Sequence, residues 1–383
     1  MKKEKVGILN YQYSDHNYGA VLQAAALENI IHELGYSPEH IDYAPYNKNS
    51  IQYKIKHGFL GHLIKSALGK RKLFNYVTNK SVFEDFRLKW LNRTNEVYLT
   101  SQDLNKIKEN YSAIVVGSDQ VWRYNMHISS YDSYAYFLQF ASEKTIKISY
   151  AASFGVDYWE KTPDDEITKK ISHSLAKFNA ISVREDSGVN ICRNVFNVNA
   201  KHVLDPTLLA GNDFFEKIIE SNNHSDSRND SLVYYKLDTT DDFKLKMKNI
   251  SSKLNLETEN IYFHERMLSN KYISVSSWLE KIKLSKLVIT DSFHCVCFSI
   301  IFNKDFICIK NKNRGESRLY SLLNSLGLQD RFIDFDQLSY YIENNEYKIN
   351  YGVVNPILDN LRIESLNFLK NALSNINHVK ENS

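Results

Sequence analysis

An imidazole set directly after a short apolar run is the group in this chain best placed to do chemistry. Leu287-Val288-Ile289-Thr290 is long enough for a buried strand, and Asp291-Ser292-Phe293-His294 leads from it into a helix-compatible segment. In open α/β sheets, ligands bind beyond the carboxyl ends of the strands, where helix N-termini present free N–H groups. A histidine in that position can exchange protons with a bound anion near neutral pH. His294 is therefore the expected catalytic centre; the bland alternative for a single histidine is a satisfied core residue.

Three further segments have the residue types to join it. Asn10-Tyr11-Gln12-Tyr13-Ser14-Asp15-His16-Asn17-Tyr18-Gly19 is a polar loop opening a helix, with Asn17 and Gly19 placed to face a ligand. It has a single glycine, so it is not a dinucleotide fingerprint. In Gly117-Ser118-Asp119-Gln120-Val121-Trp122, Gly117 would let the backbone approach a ligand and Asp119 would accept a sugar hydroxyl's proton. Trp122 would be either a sugar-stacking face or a core tryptophan. Arg184, after the apolar run Ala180-Ile181-Ser182-Val183, could clamp a phosphate or carboxylate bidentately, or pair with Glu185, Asp186 or another carboxylate. Beyond His294, the segment Asn311-Lys312-Asn313-Arg314-Gly315-Glu316-Ser317-Arg318 reads as a cationic loop entering a helix and suits an anion through Arg314 and Arg318. Cys192, Cys295, Cys297 and Cys308 form neither a disulfide framework nor a paired CxxC metal site. Residues 295 and 297 do not share a helix face, so they read as core. Asp15, His16 and His294 would hold a metal only if the fold gathered them, and no metal is expected.

Apolar β-type runs alternate with helical patterns to position these groups, the mark of parallel sheets built from βαβ units. Strands are expected at residues 6–9, 113–116, 146–150, 180–183 and 202–204, then again at 232–237, 260–263, 287–289 and 306–309. Helices are expected at 20–34, 276–284 and 317–326, with Gly35 as the stop of the first. The fold class is thus α/β, two Rossmann-like domains facing a cleft. Pro206 divides residues 1–206 from 207–383, and a closing helix near 356–373 would bridge the two. About residues 46–93 form a basic insertion: no acidic residue lies between Asp42 and Glu84, while Lys65, Lys70, Arg71 and Lys72 cluster within it. Phe59, Leu60, Leu63, Ile64, Ala67 and Leu68 follow helical spacing there. An amphipathic basic helix either contacts an anionic membrane surface or packs on the N-terminal domain.

A hydrophobic content of 43% and a charged content of 24% are those of an ordinary globular chain. The net charge of +3 is too small to imply general nucleic-acid binding, and no nucleic-acid motif is present. The N-terminus turns polar too soon for a signal peptide, and no apolar run nears the roughly 18 residues of a transmembrane helix. A cytoplasmic protein is expected; the membrane reading of the basic segment would place it at the inner face of the membrane.

Taken together, the motifs resemble those of the polysaccharide pyruvyl transferase family. The carrying residues are Asn17-Tyr18-Gly19-Ala20-Val21-Leu22-Gln23-Ala24-Ala25-Ala26-Leu27, Gly117-Ser118-Asp119-Gln120-Val121-Trp122, Ser182-Val183-Arg184-Glu185, Leu204-Asp205-Pro206-Thr207-Leu208-Leu209 and Thr290-Asp291-Ser292-Phe293-His294. They occur in the family's order across about residues 5 to 330. The resemblance implies a GT-B-like fold with the active site in the cleft. It also implies phosphoenolpyruvate as donor, and as acceptor a sugar of a capsule, exopolysaccharide or cell-wall glycan, free or lipid-linked. Anion-binding and catalytic roles map to Arg184 and His294. Many members have an arginine two residues before that histidine; this chain has Ser292 there, a position still expected to face the substrate. Arg314 or Arg318 would then supply the charge from the next loop. His294 would be the general acid and Asp119 the base, or the reverse, and the reaction needs no cofactor. Two other readings fit the same architecture: a glycosyltransferase using a nucleotide sugar, and a non-catalytic glycan- or anion-binding homologue.

Overall fold

The computed structural model describes residues 3–45, 77–128, 134–221, 231–264, 270–311 and 315–381. Most of the basic insertion, residues 46–76, and Arg314 lie outside the described residues.

The N-terminal half contributes β1 (Lys5–Leu9), β2 (Ser37–His40), β3 (Val77–Thr78), β4 (Ala113–Val116), β5 (Ile146–Ala152), β6 (Ala180–Val183) and β7 (Lys201–His202). Six of them form one sheet in the order β2-β1-β4-β5-β6-β7, with every neighbour parallel. The central strand β5 is buried on both faces along its whole length, as a sheet covered by helices on both sides requires. Strand β2 carries Pro38 and lies at the sheet's edge, where a missing N–H costs no ladder bond. The second half contributes β8 (Leu232–Tyr235), β9 (Thr258–Asn260), β10 (Asn270–Lys271), β11 (Leu287–Thr290), β12 (Asp305–Ile309) and β13 (Phe332–Ile333). Its five-stranded parallel sheet runs β13-β12-β11-β8-β9. Strands β3 and β10 pair with each other and so tie the halves together.

Helices of the first half are α1 (Tyr18–Glu33), α2 (Ser81–Trp90), α3 (Glu166–Leu175), α4 (Asp186–Asn194) and α5 (Pro206–Glu220). Those of the second are α6 (Asp241–Leu254), α7 (Val275–Leu284), α8 (Phe293–Ile301), α9 (Glu316–Ser325), α10 (Leu338–Glu343) and α11 (Tyr351–Glu381). No described helix is long and apolar enough to cross a membrane.

Helix α1 begins where Asn17 Oδ1 accepts the Ala20 N–H at 3.2 Å, a side-chain cap for an orphan donor. Residues 18–27 are buried without interruption, because α1 is covered by its own sheet on one side and by α5 and α8 on the other. Its alanine-rich sequence fits: small side chains let several elements approach at once. Tyr18 enters the second half from its first turn. The ring stacks on Trp278 of α7 at 5.1 Å, nearly parallel, and its hydroxyl donates to the Ile273 carbonyl at 3.2 Å.

The Pro206 boundary falls at the first residue of α5, which belongs to neither half alone. Phe215 and Ile218 join one core cluster with Val21 and Leu22 of α1 and Phe298 of α8. The chain after residue 207 does not stay with the second sheet either. Near its start α11 packs Val354 and Leu358 into that shared cluster; further on, Leu369, Leu373 and Ile376 pack with Val6, Ile8 and Ile148 of the first sheet.

Candidate active site

The carboxyl ends of β4, β5, β6 and β11 and the start of α5 converge on one carboxylate. Asp205 is the N-cap of α5: its Oδ1 accepts the Thr207 N–H at 3.0 Å and the Thr207 hydroxyl at 2.7 Å. Capping fixes the side chain and turns Oδ2 toward the cleft. There Oδ2 accepts Arg184 Nη1 at 3.0 Å and the Ser118 hydroxyl at 2.8 Å, and lies 3.7 Å from His294 Nε2. That separation is longer than a hydrogen bond, and the two groups pair as charges only when the imidazole is protonated. Arg184, from the first half, and His294, from the second, therefore meet on a single oxygen.

His294 can come so close because the first turn of α1 has no side chain facing it. A Cβ on Gly19 would lie 2.0 Å from His294 Nδ1 and 2.7 Å from its Cβ. Gly19, expected near a ligand, is thus the seat of the imidazole. Arg184 is fixed by three groups. Besides Asp205, its Nη2 donates to Asp119 Oδ1 at 3.2 Å, and its guanidinium lies 4.3 Å from the centre of the Phe293 ring, the residue before His294.

The electrostatics follow from burial and these partners. Burial works against ionised Asp205, but His294, Arg184 and the Thr207 N–H outweigh it and hold the carboxyl far below its usual range. Asp119 behaves likewise: burial raises its pKa, and Arg184, His294 and Arg318 lower it further than that. Arg184 keeps its charge, because Asp119, Asp205 and Glu185 offset its burial. Arg318, in the first turn of α9, is pulled the other way. Burial, then repulsion from Arg184, lowers its pKa to about 10. It remains a cation at neutral pH, in a place where an added anion would be stabilised.

The expected residues thus divide. His294, Asp119, Arg184, Arg318 and Gly19 come together. Asn17 caps α1 at the same helix start, and Ser292 is the half-buried N-cap of α8, making no side-chain cap bond. Trp122 does not take part as a sugar-stacking face. It is completely buried between Phe137 and Phe154 and donates its ring N–H to the Tyr136 carbonyl at 3.0 Å. Gly117 also differs from expectation. The backbone it lets in is that of β5, since a Cβ there would lie 2.0 Å from the Tyr150 carbonyl oxygen. Asp15 pairs with Arg87 at 2.7 Å, and His16 is exposed beside Ser14. The four cysteines are free and buried; burial pushes the thiols of Cys192 and Cys295 up to about 12.

Sequence reasoning gave no role to Asp205 or Ser118. For Asp205 a signal existed: an Asp before a proline at the first helical position marks a helix start, so one carboxylate oxygen is fixed and the other is left to point elsewhere.

No curated protein matches the chain. Among solved structures it is similar to UDP-N-acetylglucosamine 2-epimerase from Rickettsia bellii, with a TM-score of 0.53 and 10% identity over 99% of this chain and 98% of that one. The UDP-GlcNAc 2-epimerase of Methanocaldococcus jannaschii gives a TM-score of 0.50 and 13% identity over 94% of this chain and 99% of that one. At such identities the likeness is one of fold: two Rossmann-like domains across a cleft, GT-B-like. The model of one family, polysaccharide pyruvyl transferase, matches residues 17–313, and these include Gly19, Asp119, Arg184, Asp205 and His294. The chain belongs to the polysaccharide pyruvyl transferase family.

Proposed function

We propose that the protein transfers the pyruvyl group of phosphoenolpyruvate to a sugar of a surface polysaccharide or its precursor, forming a pyruvate ketal. One observation carries the reading: Arg184 and His294, brought from opposite halves of the molecule, meet on Asp205 Oδ2. A small acid with two anionic groups is the ligand such a pair would serve.

The enol phosphate must gain a proton at C3, which leaves C2 electrophilic. Protonated His294 gives that proton, and Asp205 and Asp119 stabilise the imidazolium beforehand. A sugar hydroxyl adds to C2 and loses its proton to the neutral imidazole. A second hydroxyl of the same sugar then displaces phosphate and closes the ketal, its proton leaving with the phosphate. The lowered pKa of Asp119 makes it a poor base, so its role here is to hold Arg184 and to balance charge. Arg184 and Arg318 bind the donor's anionic groups, and Arg318 supplies the positive charge that Ser292 does not. The sequence requires no electron sink or redox step, so neither an organic cofactor nor a metal is assigned.

Incubation with phosphoenolpyruvate and a panel of free and lipid-linked galactosides, mannosides and hexosamines tests this. Phosphate release should match an acceptor mass gain equal to one pyruvyl ketal. Consumption of a nucleotide sugar, with phosphoenolpyruvate untouched, would replace the reading with a glycosyltransferase.

A further inference from the structure

At the amino ends of the first sheet's strands, away from the candidate site, lies a cavity of about 710 Å³. It opens between the 3-10 turn Tyr134–Phe137, the start of β5 and the last turns of α3. Lys147 is the second residue of β5, and Ala152, which bridges to Asp119 of the candidate site, is the last. At roughly 3.3 Å per residue, Lys147 stands about 16 Å from the chemistry along that strand.

The cavity's charge is one-sided. Lys147, Lys169, Lys170 and Lys177 line it with His173, against a single lining carboxylate, Glu143. Among the described residues, the side chains of Lys169, Lys170 and Lys177 make no ion pair, and neither does Glu143. Cations at the carboxyl end of α3 complement its dipole, which explains His173 and Lys177 as ordinary helix chemistry. It does not explain Lys147. That side chain is buried and donates to the Ser142 carbonyl at 2.9 Å, and burial, then repulsion from Lys177, lowers its pKa. An anion bridging the two ammoniums would relieve both effects.

A second cavity of about 270 Å³ adjoins the first, with Ala135 and Gln139 lining both. Its lining differs in kind: Gln102 and Asn105 bring amides, and Tyr134 and Phe140 bring rings. Gln139, at the junction, is fixed by donating to the Ser174 hydroxyl at 2.8 Å. Amides both donate to and accept from sugar hydroxyls, and aromatic rings cover the apolar faces of sugars. Ammoniums suit the carboxylates of an acidic sugar chain.

We infer that the joined groove binds an acidic oligosaccharide, a stretch of glycan remote from the sugar that reacts in the cleft. That this glycan is the enzyme's own acceptor rests on the transferase reading; the groove's preference for acidic sugar chains does not. A small anion would occupy the lysine end and leave the amides idle, whereas several linked sugars engage both.

Calorimetric titration of the full chain with hexagalacturonate tests this, beside a neutral galactose hexamer, inorganic phosphate and phosphatidylglycerol vesicles. The hexauronate should bind about tenfold more tightly than the neutral hexamer or phosphate, the scale of a few exposed charge contacts. Combined Lys169→Glu, Lys170→Glu and Lys177→Glu should remove that advantage, and Gln102→Ala with Asn105→Ala should weaken both hexamers. No hexauronate binding, binding that the reversed charges leave intact, or equal affinity for phosphate overturns the groove. Vesicle binding through these lysines with the hexauronate unbound overturns it too, and makes the face a membrane contact. Selective loss of hexauronate binding in the charge-reversed variant of a protein that consumes no phosphoenolpyruvate with any acceptor would keep the groove and remove the transferase reading. Ketal transfer by a protein that binds no hexauronate would do the reverse.

Discussion

Two buried arginines in the first half of the molecule are held in opposite ways. Arg87, on α2, is 1% exposed and engages every nitrogen: Nε donates to Glu84 at 2.7 Å, Nη2 to Asp15 at 2.7 Å, and Nη1 to the carbonyls of Gln12 and Ser14 at 3.1 Å each. Arg184 is 2% exposed, and its Nε has no hydrogen-bond partner among the described residues. Both are cations removed from water and paired with two carboxylates. Only the second faces another lobe, a histidine and a further arginine. Burial and pairing therefore do not mark a site; incomplete satisfaction at the junction of two domains does.

The sharpest way to break that contrast is through His294, where the largest loss is expected. His294→Ala should lower turnover by about 10²-fold or more, the scale for removing a general acid, with the fold intact. Gly19→Ala reaches the same group from the other side. Its methyl must displace the imidazole from a position 2.0 Å away, so its loss should approach that of His294→Ala. Kinetics of the double variant sharpen the point: with the ring gone the methyl meets only the Cβ of residue 294, at 2.7 Å, so its further cost should be much smaller than in the wild type. Fully multiplicative losses would mean that Gly19 acts on something other than the histidine.

Next in size is the direct comparison of the two arginines. Arg184→Met leaves Asp119 and Asp205 buried without their cation, a loss of about 3–5 kcal/mol. Arg87→Met leaves Asp15 and Glu84, both partly in water, and two carbonyls, for about 2–4 kcal/mol. Both variants should melt earlier. Assayed where each is still folded, the Arg87 variant should retain near-normal turnover per folded molecule, and the Arg184 variant should lose most of it. Equal losses would erase the distinction between a cation that pins a loop and one that meets substrate.

Much of this arrangement could be read from the chain, and the failures have physical causes. Strands β4, β6 and β11 are short apolar runs ending in polar residues, so both their existence and the site at their ends were legible. Strand β2 was not, because Ser-Pro-Glu-His has neither apolar content nor a full set of donors; only its edge position makes it a strand. Trp122 could be surface or core on spacing alone, and its surroundings come from Phe137, Phe154 and Phe178, far along the chain. Gly19 was correctly placed at the cleft but for a different reason, since the histidine it accommodates is 275 positions away. Asp205 looked like a boundary residue because a helix cap and a domain break carry the same local signature. What the sequence could not convey is which second partner a capped carboxylate finds once the chain has folded.

The smallest effect concerns that carboxylate, and pH reveals it. Asp205 has a folded pKa well below its unfolded value, so its contribution is fully present above the unfolded pKa of about 3.9 and is lost as pH falls toward the folded value. Asp205→Asn removes the charge at every pH while keeping the side chain's shape. The difference in unfolding free energy between the two proteins, measured in urea, should hence carry no contribution from Asp205's own protonation above about pH 5. Below about pH 4 it should narrow by about 1.4 kcal/mol per pH unit, as the unfolded wild-type chain takes up a proton that the folded one refuses. A gap at Asp205 that holds constant through pH 3.5 would mean that Arg184 and His294 do not stabilise its charge. The cleft would then be organised by the helix cap alone.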